Sequence, residues 1–239
     1  MDSLRIAELL DPFFTTPGLS RAQLDQISIY IDLLLRWNAR VNLTAIRTPE
    51  EIVTRHFGES LFAARHLLPD ADDGPPQTAN ENAGQRPAPA DKSSAHPACV
   101  VDLGSGAGFP GIPWKIWSPQ TPVTLIESNQ KKVAFLREVI RALTLTDINV
   151  FPARAEDYPA AAAALVALRA VERFQAILPI AARLLAPAGT LALLIGQSQV
   201  APARDLLPAL RWFDPLPIPQ SEARVLVRAN IDPGWALHS

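Results

Sequence analysis

The stretch from Cys99 to Pro113 constrains this chain more than any other. Val100-Val101-Asp102-Leu103 runs directly into Gly104, Gly106, Gly108 and Gly111, with Pro110 and Pro113 opening a predicted helix. A short strand, a glycine turn and a helix in that order form the carboxyl edge of an open α/β sheet, where nucleotide-like ligands bind. Glycine permits backbone turns closed to other residues and lets a ligand approach the main chain. The segment therefore predicts a cofactor site on a parallel sheet.

Two readings share these letters. Gly106, Gly108 and Gly111 satisfy G-x-G-x-x-G, the dinucleotide fingerprint. Asp102, Gly104, Gly106 and Gly108 satisfy D-x-G-x-G-x-G, which resembles the first motif of methyltransferases that use S-adenosylmethionine. Position favours the second. Asp102 falls at the end of the strand, where its carboxylate could meet a cationic ammonium but would gain nothing from a pyrophosphate. Pro110 and Pro113 also remove two of the amide donors a dinucleotide helix offers to phosphate.

The rest of the chain fits that core. Its 239 residues suit one large domain, or a domain with a small extension. A net charge of −2 argues against a histone-like binder of nucleic acid but leaves room for a local basic patch. Cys99 is the single cysteine, so no internal disulfide can form, and a buried strand thiol is expected there. No signal-peptide pattern opens the sequence, and no apolar run approaches the ~20 residues that span a bilayer. A cytoplasmic location is expected.

Residues 1–68 read as a helical extension. Ser20-Arg21-Ala22-Gln23 is a capping-box start, followed by an apolar face at Leu24, Ile27, Ile31, Leu34 and Leu35. Thr48-Pro49-Glu50-Glu51 is a second start, with Ile52, Val53, Phe57, Leu61 and Phe62 as its buried side. Arg36, Arg40, Arg47, Arg55 and Arg65 fall on the opposite faces. Residues 69–97 form a polar, proline-rich insert too poor in large apolar side chains to offset the entropy of ordering, and read as a linker. From residue 98 to 239, predicted strands at Val123–Ile126, Ile148–Phe151, Leu165–Leu168 and Thr190–Ile195 alternate with helices, one over Asn129–Leu143 and one around Val171–Leu185. This pattern gives a mostly parallel sheet with helices on both faces. Trp212–Ile218 and Arg224–Val227 read as a closing antiparallel hairpin.

Glu127 ends the second strand, where a carboxylate accepts hydrogen bonds from ribose hydroxyls. Ala155-Glu156-Asp157 follows the third strand and would face an adenine. Phe109 could stack on adenosine or lie in the core. Arg169 breaks an apolar run at the end of the fourth strand and is expected to aim into the cleft, toward a carboxylate or an RNA phosphate. The histidines are scattered, so no metal site is expected, and no acid–base or nucleophile signature assigns a catalytic residue. Methyl transfer accommodates that, because a sulfonium methyl is already activated and needs alignment more than a base.

These segments together resemble a named family, the bacterial 16S ribosomal RNA guanine-N7 methyltransferases, also called the glucose-inhibited division protein B family. The resemblance rests on Arg36-Trp37-Asn38 with Val41-Asn42-Leu43-Thr44, Arg55-His56-Phe57, and Asp102 through Pro113. Lys131 through Leu136, Arg154-Ala155-Glu156 and Leu168-Arg169-Ala170-Val171 extend it. It implies a Rossmann-like class I methyltransferase sheet, S-adenosylmethionine as cofactor, and 16S rRNA or the small ribosomal subunit as partner of a monomeric enzyme. It also implies cofactor contacts at Gly104, Phe109, Ala155, Glu156 and Arg169, beside Gly106 and the ribose acid Glu127. RNA contacts are expected at Arg36, Arg40, Arg47, Arg55 and His56. Two positions depart from the family: Ala164-Leu165 replaces an acidic position, and Ile195 stands where a lysine usually precedes Gly196. The departure at Ile195 motivates an alternative, an RNA-binding protein with a cofactor pocket and little turnover. A nicotinamide-dependent oxidoreductase is the other alternative.

Overall fold

Eight strands make one sheet in the order β3-β2-β1-β4-β5-β8-β6, with β7 paired to β8. The computed structural model describes residues 1–14, 18–68, 99–169 and 173–231. The strands β1 (Val100–Leu103), β2 (Val123–Ile126), β3 (Ile148–Phe151), β4 (Ala163–Arg169) and β5 (Leu185–Gly196) pair in parallel. β6 (Leu210–Trp212), β7 (Leu216–Pro217) and β8 (Arg224–Ile231) close the sheet in antiparallel fashion. The chain order reverses between β1 and β4, and crevices for ligands open at such points on the carboxyl edge.

Side chains alternate across the sheet and split the interior in two. Val100, Val123, Leu125, Leu165 and Leu194 face one hydrophobic cluster. Val101, Leu103, Ile126, Val166 and Leu193 face the other. The first is covered by α5 (Gly111–Trp117) and α6 (Gln130–Ala142), the second by α7 (Phe174–Leu184) and α8 (Val200–Leu206). Burial of both faces explains why the parallel strands are apolar almost throughout.

The N-terminal helices are α1 (Ser3–Leu10), α2 (Arg21–Asn38), α3 (Pro49–Glu51) and α4 (Glu59–Leu67), with a π-helical segment, Ile52–Gly58, between the last two. Ser20 and Gln23 form the expected capping box on α2. Ile27, Ile31, Leu34, Ile52, Val53, Phe57, Leu61 and Phe62 all enter the same cluster as α5 and α6. The extension therefore shares its core with the sheet. Polar contacts reinforce the join: Tyr30 donates its hydroxyl to the Ala107 carbonyl, Trp114 donates to the Ser60 carbonyl at 2.7 Å, and Gln23 to that of Ile116 at 2.8 Å.

One expectation needs revision. Cys99 is half-buried just ahead of β1, its Sγ 3.8 Å from the Thr124 hydroxyl, and is not a fully buried strand thiol. The closing antiparallel hairpin is present, with β6 and β7 both paired to β8, which joins it to the sheet through β5. The linker reading of residues 69–97 lies outside the described residues, apart from its boundary at Leu68. Among the described residues no helix is long and apolar enough to cross a membrane.

Candidate cofactor crevice and catalytic edge

A crevice of about 280 Å³ opens over the carboxyl ends of β1, β2 and β3. Leu103 and Gly104 contribute one wall, Ile126, Glu127 and Ser128 the floor, and Ala153 to Glu156 the far side. Four of the expected cofactor residues, Gly104, Glu127, Ala155 and Glu156, thus meet around one cavity. Gly106 joins them through a hydrogen bond, its amide donating to Glu127 Oε2 at 2.9 Å. It holds φ +58°, and a Cβ there would meet only the Gly104 carbonyl, at 3.8 Å. The glycine is required by the turn, and the space beside it is open.

Glu127 is 8% exposed, and its other oxygen accepts from the Asn129 amide at 2.8 Å. Two backbone amides thus fix the carboxylate at the crevice wall and leave lone pairs for hydroxyl donors. The turn bearing Ala155 and Glu156 is tied down from behind. One Arg183 nitrogen donates to the carbonyls of Ala155, Glu156 and Tyr158 at 3.0, 3.0 and 3.3 Å.

The start of α5 answers the phosphate question. The Gly111 amide donates to Asp102 Oδ2 at 2.9 Å, Ile112 to the Gly108 carbonyl and Trp114 to the Pro110 carbonyl, while Pro113 has no amide hydrogen. No first-turn donor is left for a pyrophosphate.

Four expected residues stand differently from the sequence reading. Asp102 is 1% exposed and lies beneath the loop, away from the crevice lining, with Oδ1 buried and unpartnered among the described residues. Burial pushes its carboxyl up to about 7, against the pull of the Gly111 amide and Arg169. Phe109 takes the core alternative, buried with its ring stacked on those of Tyr30, 5.3 Å away, and His56, 4.6 Å away. Arg169 does not project freely into the crevice; it pairs with Glu59 at 3.1 Å and donates to the Arg55 carbonyl at 2.6 Å. A buried guanidinium must spend its donors on such partners. His56 is buried too, its Nε2 2.8 Å from the Thr44 hydroxyl. Burial, with Arg169, Arg55 and Arg224 nearby, lowers its pKa to about 3, so it is neutral and no phosphate-binding cation. Arg36, Arg40, Arg47 and Arg55 are exposed.

Sequence reasoning missed the fourth wall of the crevice. Arg173, Ala176, Ile177 and Ile180, at and after the start of α7, line it. It also missed Glu59 and Arg224, joined by an ion pair at 2.9 Å. Glu59 could have been flagged as an acid on the otherwise apolar buried face of its helix, where a charge needs a partner. Ile195, at the position of the family lysine, is 4% exposed and enters the cluster beneath α7 and α8.

Comparison with known proteins accords with this geometry. Residues 23–73 and 89–206 match the family described as rRNA small subunit methyltransferase G. A protein of that name from Chloroflexus aggregans is 38% identical over 225 residues, covering 87% of this chain and 82% of its own. One from Xanthomonas campestris pv. campestris is 37% identical over 187 residues, covering 77% of this chain and 70% of its own. A solved S-adenosylmethionine-dependent methyltransferase from Aquifex aeolicus aligns at 16% identity and TM-score 0.49, over 56% of this chain and 82% of its own. The match to the family profile spans both the helices and the sheet that frame the crevice, and the chain belongs to the rRNA small subunit methyltransferase G family.

Proposed function

We propose that this protein transfers a methyl group from S-adenosylmethionine to N7 of a guanine in 16S ribosomal RNA. The observation that carries the reading is the crevice itself: it presents a ribose-binding carboxylate, Glu127, yet its neighbouring helix has no amide free for a pyrophosphate. That combination suits an adenosine joined to an amino acid better than a dinucleotide, so the oxidoreductase alternative is not favoured. Family membership supports rRNA as the acceptor.

When bound, the methyl donor supplies an electrophilic methyl on a sulfonium. Glu127 would hold the ribose, the Gly104–Gly106 turn would let the donor approach the main chain, and Ala155 with Glu156 would receive the adenine. Guanine N7 carries a lone pair that Watson–Crick pairing leaves free. The protein's task is alignment and water exclusion, not proton removal. Its buried carboxyl, Asp102, is spent on the loop. Access to N7 in the deep groove of A-form RNA is poor, so an unpaired or opened segment is the fitting acceptor. We place the enzyme in the cytoplasm as a monomer acting on 16S rRNA, free or within the small subunit, with Arg36, Arg40, Arg47 and Arg55 on the RNA side.

Calorimetric titration with S-adenosylmethionine and with NAD, followed by methyl transfer to small subunits lacking the modification, tests this. Binding of the first ligand alone and one new N7-methylguanine mapped by mass spectrometry are expected. Methylation at another atom or in another RNA refutes the assignment, and binding without transfer supports the turnover-deficient alternative raised by Ile195.

A further inference from the structure

Helices α2 and α6 lie antiparallel and are pinned at both ends. Near the start of α2, Gln26 donates to the carbonyl of Leu143, just past α6, at 3.2 Å. Near its end, the Trp37 indole donates to Glu138 at 3.0 Å, and its ring meets that of Phe135 at 5.7 Å. The C-terminus of α2 therefore meets the N-terminus of α6. Because α6 follows β2 and the crevice carboxylate Glu127, this join stands at the carboxyl edge of the sheet.

Lys131 and Lys132 occupy the first turn of α6. Phe135 is four residues beyond one and three beyond the other, so both lysines lie one turn closer to that edge than the ring Trp37 touches. Lys131 is exposed and Lys132 half-buried, and among the described residues neither ammonium has a protein partner. Their backbone amides donate to the Asn129 side chain at 3.0 and 3.2 Å, so the ammonium groups, not the helix end, are what this surface offers. Two cations beside the positive end of a helix, with no acid in that turn, oppose the local electrostatics. Sequences break such local rules chiefly at functional sites.

The acids near the join do not cancel this charge. Asp25 pairs with Arg21 at 3.0 Å, and Asp32 lies 3.6 Å from the N-terminal ammonium. Glu138 and Glu127 remain, against Arg36, Arg40, Lys131 and Lys132, so positive charge is in excess even with both carboxylates ionised. Arg36 gives its Nε to the Asp32 carbonyl, which leaves the rest of the guanidinium to solvent. Arg137 and Arg141 of the same helix instead line a hollow beside β3 to which α2 contributes nothing.

We propose that Lys131 and Lys132 are RNA-binding residues: with Arg36 and Arg40 they make one basic seam across the α2–α6 join that holds backbone phosphates of the RNA substrate. The inference rests on the methyl-transfer reading above. Lysine is a flexible point charge without the planar fork of arginine, which suits backbone phosphates whose positions vary more than those of a base edge.

The test compares Lys131→Gln with Lys132→Gln against Arg137→Gln with Arg141→Gln, which removes the same charge from another side of α6. Filter binding to 16S rRNA over a salt series and steady-state methyl transfer to small subunits read both. The lysine pair should lower the salt slope by about 1 per lysine and raise KM for the subunit about fivefold or more, while the arginine pair stays near the parent. S-adenosylmethionine affinity should be unchanged, since neither lysine lines the crevice. The melting temperature of the lysine variant should hold or rise, because its clash with the helix dipole is relieved. Lys131→Arg with Lys132→Arg keeps the charge and should restore the slope. Parental slope and KM in the lysine variant overturn the proposal and leave a solvated helix end. An equal loss in the arginine control overturns it too, because RNA then responds to net charge alone. Binding is read without turnover, so methyl transfer to another atom would refute the N7 assignment and leave this surface standing.

Discussion

Asp102 and His56 are both buried beside Phe109 and Tyr30, and burial drives their titrations in opposite directions. The Asp102 carboxyl is pushed up to about 7 in the fold from 3.8, so it holds a proton there that the unfolded chain releases. Its contribution to stability falls as pH rises from about 4 to 7. His56 is lowered to about 3 from 6.5, so the unfolded chain takes a proton the fold refuses. Its contribution falls as pH drops from about 6.5 to 3. Between about pH 4 and 6.5 the two slopes oppose, each by up to about 1.4 kcal/mol per pH unit. Replacing Asp102 by Asn keeps an acceptor for the Gly111 amide and removes one slope. Urea denaturation of Asp102→Asn should show stability falling more steeply on acidification than in the parent, and His56→Phe should tilt the opposite way. Parallel curves for parent and both variants would show that neither group is perturbed by the fold.

The crevice makes a second claim at this scale. Glu127→Ala strands the Gly106 and Asn129 amides and removes the proposed ribose acceptor. S-adenosylmethionine affinity should fall by about 1–3 kcal/mol, and the melting temperature should fall as well, because two backbone amides lose their acceptor. Calorimetry on folded protein reads it, and parental affinity would remove Glu127 from the site.

At the scale of elements, the legible parts of the sequence are those governed by local rules. The capping box at Ser20, the β2 and β3 spans and the apolar faces of α2 and α6 follow from turn chemistry and period, and the structure reproduces them. The crevice residues Gly104, Glu127, Ala155 and Glu156 are readable for a similar reason, since they lie on the turns that follow strands. Phe109, Arg169 and His56 are not, because their surroundings come from distant segments. Phe109 meets Tyr30 across the boundary between extension and loop, and Arg169 meets Glu59 more than a hundred residues away. No local pattern encodes a contact of that kind. α2 thus does more than cover the sheet, because the Tyr30 hydroxyl holds the Ala107 carbonyl within the glycine loop. Tyr30→Phe leaves that carbonyl unsatisfied in a buried site, at a cost of about 1–3 kcal/mol. Both the melting temperature and cofactor affinity should drop, because the loop loses its brace. A fall in melting temperature alone would show that the loop keeps its shape without help from the extension.

For the molecule as a whole, a net charge of −2 and an RNA substrate are compatible only if positive charge is concentrated where the RNA lies. The exposed arginines of the extension, Arg36 and Arg40 at the end of α2, Arg47 beyond it and Arg55 in the π segment, are the candidates. Arg55 links them to the catalytic edge, because its carbonyl receives Arg169 while its own side chain is exposed. Interactions with phosphate fix register and carry no sequence information, so removing them weakens binding uniformly. Arg36→Glu combined with Arg40→Glu should raise KM for the small subunit and reduce the salt slope of RNA binding by about 1 for each phosphate that is no longer neutralised. S-adenosylmethionine affinity should be unchanged, since neither residue lines the crevice. If RNA kinetics and salt slope match the parent, the extension serves as a structural cover for the sheet, and the RNA lies elsewhere.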